Sequence, residues 1–406
     1  MSKRAAGRGE SLAETWATSD RPHTTPARPV HTAYVTTDDP ADVRSWSGTY
    51  LYVGKALSAH GLELDPLGPL EMKHELLFKA KEACFRFGLR RRHPRDREPA
   101  IAKSYATQLE PRIRSEHELV FAVGTLAIPY LECEQPIAFW SDATWAVMVD
   151  FYPVYSNLSA QSLRHGHALE KAALERSALA IYSSDWAAQS AIDDYGLEPD
   201  RVAVVPFGAN MDGQLSDREA DDVVAGRSDD VCRLLFIGAE FERKGGPLAL
   251  DVARQLNEAG LATTIDVVGP WPAGTEVPPY AQPRGFVDKS TSEGRALLRS
   301  LLLDAHFLLL PSRAECSAIV LSEAAAHAVP ALASRVGGSP TIVRDGVNGG
   351  LFDRDAGAEE YADFIQGVFG SPAYRSLALS SLEESRQRLN WDVAGARVRE
   401  LVEAIL

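Results

Sequence analysis

Short apolar runs alternate with segments of helical periodicity along most of the chain. In the first half these runs are "HTAYVTT" (31–37), "LVFAV" (119–123), "PIAFW" (136–140), "LAIYSS" (179–184) and "RVAVVP" (201–206). Apolar runs of this length, separated by helical segments, are typical of βαβ units around a parallel sheet. The pattern therefore predicts an α/β domain over residues 31–212, after a flexible N-terminal tail at residues 1–30.

The same pattern restarts after a polar, acidic stretch at residues 213–230, which we expect to be a linker region. The later runs are "CRLLFIG" (232–238), "ATTIDVVG" (262–269), "HFLLLP" (306–311), "ALAS" (331–334) and "GGLF" (349–352). They predict a second α/β domain over residues 231–388. We expect two Rossmann-like domains facing a cleft, with ligands bound at the carboxyl ends of the strands.

The length of the chain bears on the number of domains, and its net charge bears on the class of binding partner. A chain of 406 residues is long enough for two domains. The net charge of −14 argues against a nucleic-acid partner, because neutralising phosphates requires a basic surface. One basic cluster, Arg90, Arg91 and Arg92, departs from this trend. It could touch an anionic membrane surface or another polyanion, or it could be a solvated helix end.

Cysteine spacing and hydropathy bear on the compartment. The four cysteines are scattered without a CxxC pair, so neither a disulfide framework nor a zinc site is indicated. Residues 1–30 lack an apolar core of signal-peptide length, and no apolar run approaches about 18 residues. These features predict a cytoplasmic protein without a membrane span.

Two cations follow the strand predicted at residues 232–238. Arg243 and Lys244 precede the glycine pair Gly245-Gly246 and a helical segment. A glycine turn lets the backbone approach a ligand, and an arginine fork beside a lysine suits phosphate oxygens. The alternative is an ordinary surface pair.

Two glutamates flank the predicted start of a helix after the run "HFLLLP". They are Glu315 and Glu323, and Ser317 between them is a candidate N-cap that would leave the amides of residues 318–320 free for an anion. Ionised carboxylates only accept hydrogen bonds, so two beside an anion site suggest recognition of sugar hydroxyls. The alternative for each is a solvated side chain at a helix N-terminus.

Residues 314–352, together with "FIGAEFERKGG" (236–246), resemble the retaining glycosyltransferases of family four, often called group 1 glycosyl transferases. The hallmark of that family is two glutamates separated by seven residues, matched here by Glu315 and Glu323. The resemblance implies the GT-B fold, with residues 31–212 as the acceptor domain and residues 231–388 as the nucleotide-sugar domain. It further implies a nucleoside diphosphate sugar as donor substrate, no separate cofactor and no metal. It also implies that the last helix, residues 389–406, packs back toward the first domain.

The resemblance assigns roles within the second domain. It implies that Glu323 binds the ribose hydroxyls, that Glu315 contacts the donor sugar, and that Arg243 and Lys244 neutralise the diphosphate. Backbone amides facing the sugar or phosphate would come from Ser317, Ala318, Ile319 and Val320, and the base would stack near Gly285, Phe286 and Val287. Many relatives have an arginine where this chain has Ala239, a departure that Arg243 would compensate.

Two residues of the first domain are weaker candidates. Gly48, in "SWSGTYLYVG", would belong to a glycine loop closing over the diphosphate, unless Ser47 or Thr49 simply caps a helix. Asp142 could orient or deprotonate an acceptor hydroxyl, unless it caps the next helix. Relatives often have a histidine near the position of Ser141, so no general base carries over.

The resulting prediction is a retaining glycosyltransferase that moves a sugar from a nucleoside diphosphate sugar to an unidentified acceptor. That acceptor would be a small metabolite or natural-product intermediate, or a lipid or polysaccharide precursor reached through membrane contact by Arg90, Arg91 and Arg92. The alternatives are a sugar-nucleotide epimerase or phosphorylase of the same fold, and a non-catalytic nucleotide-sugar or carbohydrate-binding module.

Overall fold

The structure is a computed structural model that describes residues 28–211 and 213–406. Of the tail expected at residues 1–30, residues 1–27 lie outside this range. The chain divides into two compact units. The second unit comprises residues 182–190 and 204–394, and the first comprises the remainder, including residues 395–406.

The first half of the chain alternates strands and helices. Its strands are β1 Val30–Val35, β2 Leu62–Pro66, β3 Leu119–Val123, β4 Ile137–Ser141, β5 Leu179–Tyr182 and β6 Val202–Val204. Its helices are α1 Thr49–Ala59, α2 Glu75–Gly88, α3 Pro99–Leu109, α4 Trp145–Met148, α5 Ala160–Arg176 and α6 Asp185–Asp193. The alternation follows the predicted βαβ pattern.

The second half continues this alternation. Its strands are β7 Cys232–Ile237, β8 Thr263–Val268, β9 Ala281–Gly285, β10 Phe307–Leu310, β11 Ala331–Ser334 and β12 Gly349–Phe352. Its helices are α7 Asp217–Gly226, α8 Gly246–Glu258, α9 Ser292–Asp304, α10 Ile319–Ala325, α11 Ser339–Ile342, α12 Ala358–Val368, α13 Pro372–Arg388 and α14 Trp391–Glu403. Among the helices of residues 28–211 and 213–406, none combines the length and apolar character needed to span a bilayer.

The first sheet has the strand order β2-β1-β3-β4-β5-β6. β1 pairs in parallel with β2 and β3, and β3 pairs in parallel with β4. Every residue of β3 and β4 is buried, as expected for strands covered on both faces by helices. The order reverses between β1 and β3, so the loops that leave these strands diverge there.

The second sheet has the order β12-β11-β10-β7-β8-β9. β7 pairs in parallel with both β8 and β10. The chain therefore moves outward from β7 through β8 to β9, and returns to the other side of β7 with β10. In such sheets ligands bind where the order reverses, at the carboxyl ends of the two central strands. For this sheet the topology points to the loops after β7 and β10.

The expected linker at residues 213–230 is wrong, because these residues contain α7. Ser216 and Glu219 form a reciprocal capping box at its start, and Ala220 and Val224 are buried in the core of the second unit. The many acidic side chains lie on the outer face and obscured the short apolar stripe in the sequence.

The last helix contributes to the first unit from Gly395 onward. Arg399 donates hydrogen bonds to the carbonyls of Gly61 at 3.0 Å and Arg28 at 2.8 Å. A side chain at Gly395 would place its Cβ 2.6 Å from the carbonyl oxygen of Ala56. Glycine therefore allows the backbone of α14 to lie close to α1.

Candidate functional site

The loops after β7 and β10 bring three predicted residues into one cluster. Lys244 donates a hydrogen bond to the carboxylate of Glu315, and Nη1 of Arg243 lies 3.7 Å from the same carboxylate. The exposed fractions of the Arg243, Lys244 and Glu315 side chains are only 13%, 14% and 7%. The two cations and the carboxylate thus form a nearly buried ionic cluster at the switch point of the second sheet.

Further hydrogen bonds hold Arg243 in place. Its Nη1 donates to the carbonyl of Ala314 at 2.6 Å, and its Nη2 donates to the carboxylate of Glu240 at 2.7 Å. The hydrogen bond from Arg243 lowers the pKa of the Glu240 carboxyl. Because the guanidinium is fixed by both loops, its position does not depend on a ligand. Such a cation meets an incoming anion at little cost in side-chain entropy.

The glycine pair after Lys244 is required by close packing. Gly245 has φ of 81°, and a Cβ there would lie 2.1 Å from the carbonyl oxygen of Pro311. A Cβ at Gly246 would lie 2.3 Å from the ring of Phe241. Gly245 thus lets the loop after β7 pack against the end of β10, and Gly246 lets the same loop pack on Phe241. This packing keeps Lys244 within reach of Glu315.

A later glycine shapes the loop that carries Glu315. The amide of Gly338 donates to the carbonyl of Glu315 at 3.2 Å, and a Cβ on Gly338 would lie 1.9 Å from the carbonyl oxygen of Cys316. The "VGG" sequence therefore has a structural reason. It supports the backbone on which Glu315 is mounted.

Glu323 has a partner that the sequence analysis missed. Its side chain in α10 is 1% exposed and accepts a hydrogen bond from Lys289, which is 27% exposed in the segment after β9. A buried carboxylate is costly without a cation or hydrogen-bond donors. Burial of Glu323 was not visible in the sequence, so the need for this partner was not either. The available signal in the sequence was that Lys289 lies two residues after the candidate segment 285–287.

The predicted capping role of Ser317 is wrong. The N-cap of α10 is Ala318, and it makes no side-chain capping bond. The helix starts at Ile319, so the amides of Ile319 and Val320 lie in its first turn, where N–H groups lack intrahelical acceptors. In the part of the chain that the structure describes, the buried hydroxyls of Ser312 and Ser317 have no hydrogen-bond partner. Buried polar groups are rarely left in this state without a functional reason.

The segment after β9 presents a mixed surface. Gly285 has φ of 68°, Phe286 is 73% exposed, and Val287 packs partly against a buried cluster of the second unit. An exposed aromatic ring on a segment anchored by its neighbour can stack with a planar ligand. Its role in base binding stays a prediction.

Gly48 lies in an unusual turn of the first unit. Trp46, Ser47 and Gly48 have φ of 46°, 57° and 87°, and Gly48 is the N-cap of α1. The alternative that Ser47 or Thr49 caps this helix is wrong, since the N-cap has no side chain and Thr49 lies inside the helix. Backbone held in the left-handed region stores strain, which is concentrated at functional loops. Contact with a diphosphate stays a prediction for Gly48.

Asp142 follows β4 and is half-buried. The alternative that it caps the next helix is wrong, because the N-cap of α4 is Thr144. Burial raises the pKa of Tyr50 to about 12, and the charges of Asp38 and Asp142 contribute to this rise. The catalytic role suggested for Asp142 stays a prediction.

Comparison with known proteins identifies the second half of the chain. Residues 232–370 match the family model described as Glycosyl transferases group 1. Over these residues the chain is similar to the group 1 glycosyl transferases. The matched range includes the Arg243, Lys244 and Glu315 cluster as well as Glu323 and Lys289. The family resemblance inferred from the sequence is confirmed.

Curated relatives are similar to this chain over part of their length. The D-inositol 3-phosphate glycosyltransferase of Geodermatophilus obscurus is 30% identical over 240 residues, covering 55% of this chain and 51% of the relative. The enzyme of the same name from Thermobifida fusca is 28% identical over 225 residues, covering 52% of each chain. The chain therefore spans about half the length of the curated relatives it matches.

Solved structures extend the likeness to most of the chain. Sucrose-phosphate synthase from Thermosynechococcus elongatus matches with a TM-score of 0.65 and 16% identity, over 93% of this chain and 99% of that one. Anabaena HepE, solved with UDP and glucose, matches with a TM-score of 0.57 and 14% identity, over 93% and 100%. At these identities the likeness shows the fold alone. It confirms the predicted class of two Rossmann-like α/β domains, GT-B.

Proposed function

We propose that the chain is a retaining glycosyltransferase that transfers a sugar from a nucleoside diphosphate sugar to an acceptor hydroxyl. The observation that carries this proposal is the nearly buried cluster of Arg243, Lys244 and Glu315 at the switch point of the second sheet. Fixed cations in a site of low exposure stabilise a developing negative charge far better than cations in water do. A departing nucleoside diphosphate develops such a charge.

In the proposed reaction the bond from the anomeric carbon to the diphosphate oxygen breaks while a bond from that carbon to the acceptor oxygen forms. The acceptor attacks the face that the diphosphate leaves, and an oxygen of the leaving phosphate takes the acceptor proton. The pair Arg243 and Lys244 holds the diphosphate and the charge it gains. Because the acceptor oxygen itself attacks the anomeric carbon on that face, the step needs no nucleophile from the chain.

The carboxylates and hydroxyls beside the cations suit the remainder of the donor. Glu323 would accept hydrogen bonds from ribose hydroxyls, and Glu315 from the donor sugar. Donor binding would then relieve part of the contact that each carboxylate makes with its lysine. The hydroxyl of Ser317 and the amides of Ala318, Ile319 and Val320 supply further hydrogen bonds to sugar or phosphate oxygens. The unpartnered state of that hydroxyl within the described residues supports this use.

A donor screen tests the activity directly. Released nucleotide is measured with UDP-, GDP-, ADP- and TDP-sugars, and UDP-sugars come first because HepE was solved with UDP and with UDP-glucose. Anomeric coupling constants of the product, measured by NMR, distinguish retention from inversion. Donor binding without nucleotide release or product would favour a non-catalytic binding module, and inversion would exclude the proposed step.

We also propose that the transfer requires no metal ion. The two cations of the chain would supply the charge stabilisation that a divalent metal provides in other enzymes. In residues 28–211 and 213–406, no three His, Cys, Asp or Glu side chains are grouped as they would be around a metal ion. Turnover with excess chelator tests the proposal. Activity that disappears with chelator and returns with magnesium or manganese would overturn it.

We propose cytoplasmic localisation with peripheral membrane contact through Arg90, Arg91 and Arg92. Large apolar side chains stand exposed on α2 and just beyond it, beside these arginines: Leu76, Leu77, Phe87 and Leu89. Exposed apolar and basic side chains on one element favour the surface of an anionic membrane. Co-sedimentation with vesicles at low and high salt measures this contact, and absence of binding at low salt would exclude it.

A further inference from the structure

A cavity in the first unit concentrates positive charge. Its volume is about 690 Å³, within the range of small-ligand pockets. It lies between the chain that follows β2 and the chain that follows β4, both of which leave the carboxyl ends of strands. Five arginines line it, accompanied by two carboxylates: Arg86, Arg90, Arg91, Arg92 and Arg95, with Glu82 and Asp96.

Both carboxylates already pair with an arginine, Arg95 of the lining or Arg97 outside it. Glu82 lies 3.3 Å from Nη1 of Arg95, and Asp96 lies 3.5 Å from Nε of Arg97. By contrast, Arg86, Arg90, Arg91 and Arg92 form no ion pair with any carboxylate of residues 28–211 or 213–406. Four like charges around one cavity repel each other at short range. In a chain of net charge −14 this surplus is a local feature and not an average one.

The backbone fixes the arginines before any ligand arrives. Asn157 accepts a hydrogen bond from Nη1 of Arg91 at 2.7 Å and donates one to the carbonyl of Arg90 at 2.8 Å. Its own carbonyl accepts from the amide of Arg92 at 2.9 Å. Arg90 and Asn157 both have positive φ, 53° and 56°. Asparagine adopts this region readily, whereas arginine does so at a cost, so the network with Asn157 holds Arg90 in a conformation that is otherwise unfavourable.

A second anchor lies beneath the arginine loop. The ring of His93 stacks on Phe85 of α2, with centroids 4.1 Å apart and planes at 6°. Its Nδ1 lies 2.8 Å from the hydroxyls of Ser159 and Ser162, and its Nε2 bonds the carboxylate of Glu98. The arginine loop therefore rests on a buried, hydrogen-bonded base.

One arginine of the lining offers a buried hydrogen-bond donor to a ligand. The terminal nitrogens of Arg95 reach Glu82 and Glu75, but its buried Nε has no acceptor in the part of the chain that the structure describes. A guanidinium offers a planar fork that matches the oxygens of a phosphoryl group. The cavity thus combines a surplus of positive charge, arginines held in fixed positions, and a buried N–H of Arg95 that has no acceptor among the described residues.

We propose that this cavity is a binding site for a phosphoryl group. The ligand is either a soluble phosphate ester or the phosphate of a lipid headgroup, which share this chemistry. On the proposed function, and resting on it, the phosphorylated ligand is the acceptor, since the cations Arg243 and Lys244 serve the donor in the other unit.

The test measures binding of inorganic phosphate and of glycerol 1-phosphate by calorimetry at low salt, without any sugar donor. Every protein compared carries Lys244→Ala, so that phosphate binding at the donor cluster is weakened equally in all. The pocket variant adds Arg90→Gln and Arg92→Gln, whose guanidiniums make no hydrogen bond recorded within the described residues. The control adds Arg218→Gln and Arg354→Gln, two exposed arginines of the other unit, for the same change in charge.

The pocket variant should bind phosphate at least about tenfold more weakly than the control, as expected for losing charge-assisted hydrogen bonds. A parallel arm uses phosphatidylglycerol and phosphatidylcholine vesicles. Binding of the soluble probes that depends on Arg90 and Arg92 identifies a soluble ligand, and binding of phosphatidylglycerol vesicles alone identifies a headgroup. Absence of binding to both, or an equal loss in the control, overturns the proposal. Nucleotide release fails or succeeds independently, so a failed donor screen leaves this result interpretable.

Discussion

At the scale of single residues, the candidate donor site contains two ion pairs between a lysine and a glutamate. Lys244 contacts Glu315, and Lys289 contacts Glu323. Each lysine lowers the cost of burying a carboxylate, and each carboxylate keeps its lysine near the expected path of the donor. A single substitution therefore changes two properties, the stability of the unit and its affinity for the donor. Predictions at this scale must separate the two.

Replacing Lys244 by alanine should lower kcat by about 10²- to 10³-fold, the usual effect of removing one preorganised group that stabilises developing charge. The reason is that the departing diphosphate loses a fixed cation. Initial rates of nucleotide release over a range of donor concentrations give kcat and KM separately. The control is Lys171→Ala, an exposed lysine that pairs with Glu175. Equal rates for both variants and the natural chain would contradict the role of Lys244.

Lys289→Met should destabilise the second unit, because it leaves the carboxylate of Glu323 buried without its cation. Lys289 itself is 27% exposed, so we expect a loss of about 1–3 kcal/mol, less than for a fully buried pair. Adding Glu323→Gln should restore part of that loss. Urea unfolding of the natural chain, the two single variants and the double variant gives the coupling energy. Strictly additive effects would show that the contact contributes nothing.

At the scale of elements, the loops at the carboxyl ends of β7 and β10 carry the cluster because the strand order reverses between them. Close backbone approach then sets the distance from Lys244 to Glu315. Gly245 is the point of closest approach, with its prospective Cβ 2.1 Å from the carbonyl of Pro311.

Gly245→Ala should therefore lower both stability and turnover. A side chain at φ of 81° costs about 1–3 kcal/mol, and the clash with Pro311 moves Lys244 away from Glu315. The matched control is Gly260→Ala, where φ is 88° but a Cβ would meet nothing within 4 Å. Thermal unfolding and kcat are measured for both. We expect similar backbone strain in both variants and a loss of turnover only in Gly245→Ala.

The sequence predicted five of the six strands of the second sheet, because these are short apolar runs bounded by glycine and polar residues. It missed β9, which contains polar residues and is largely exposed. It failed at α7, where only Ala220 and its apolar neighbours mark the buried face among acidic residues. Within the site, the cations and glutamates were found from their position after strands and from a family resemblance. Lys289 was missed since its importance follows from the burial of Glu323, which only tertiary packing determines.

At the scale of the whole molecule, stability should depend on pH through two buried histidines of the second unit. Burial lowers the pKa of His306 to about 4, aided by the charge of Arg227, and burial lowers that of His327 to about 4 as well. Hydrogen bonds oppose a second proton on each ring. Nδ1 of His306 accepts from the amide of Arg233 at 3.0 Å, and Nε2 of His327 faces the guanidinium of Arg299 at 3.3 Å.

The direction of the effect follows from proton binding. In the unfolded chain a histidine takes up a proton near pH 6.5, whereas these two stay neutral in the folded chain until about pH 4. Between these values the unfolded state binds more protons, so stability falls as the pH falls. Above about pH 6.5 these two histidines do not reduce the free energy of unfolding. Between about pH 6.5 and pH 4 they reduce it progressively as the pH falls. Each histidine contributes at most about 1.4 kcal/mol per pH unit in this window.

Urea unfolding at intervals from pH 7 to pH 4 measures this dependence. His306→Gln and His327→Gln together should reduce the slope of the free energy of unfolding against pH by an amount equivalent to up to two protons. His31→Gln, at an exposed position, should leave this slope unchanged. If the double variant does not fold, NMR titration of the histidines in the natural chain gives their pKa values directly. Two values near 6.5 would contradict the prediction, because neither ring would then discriminate between the folded and unfolded states.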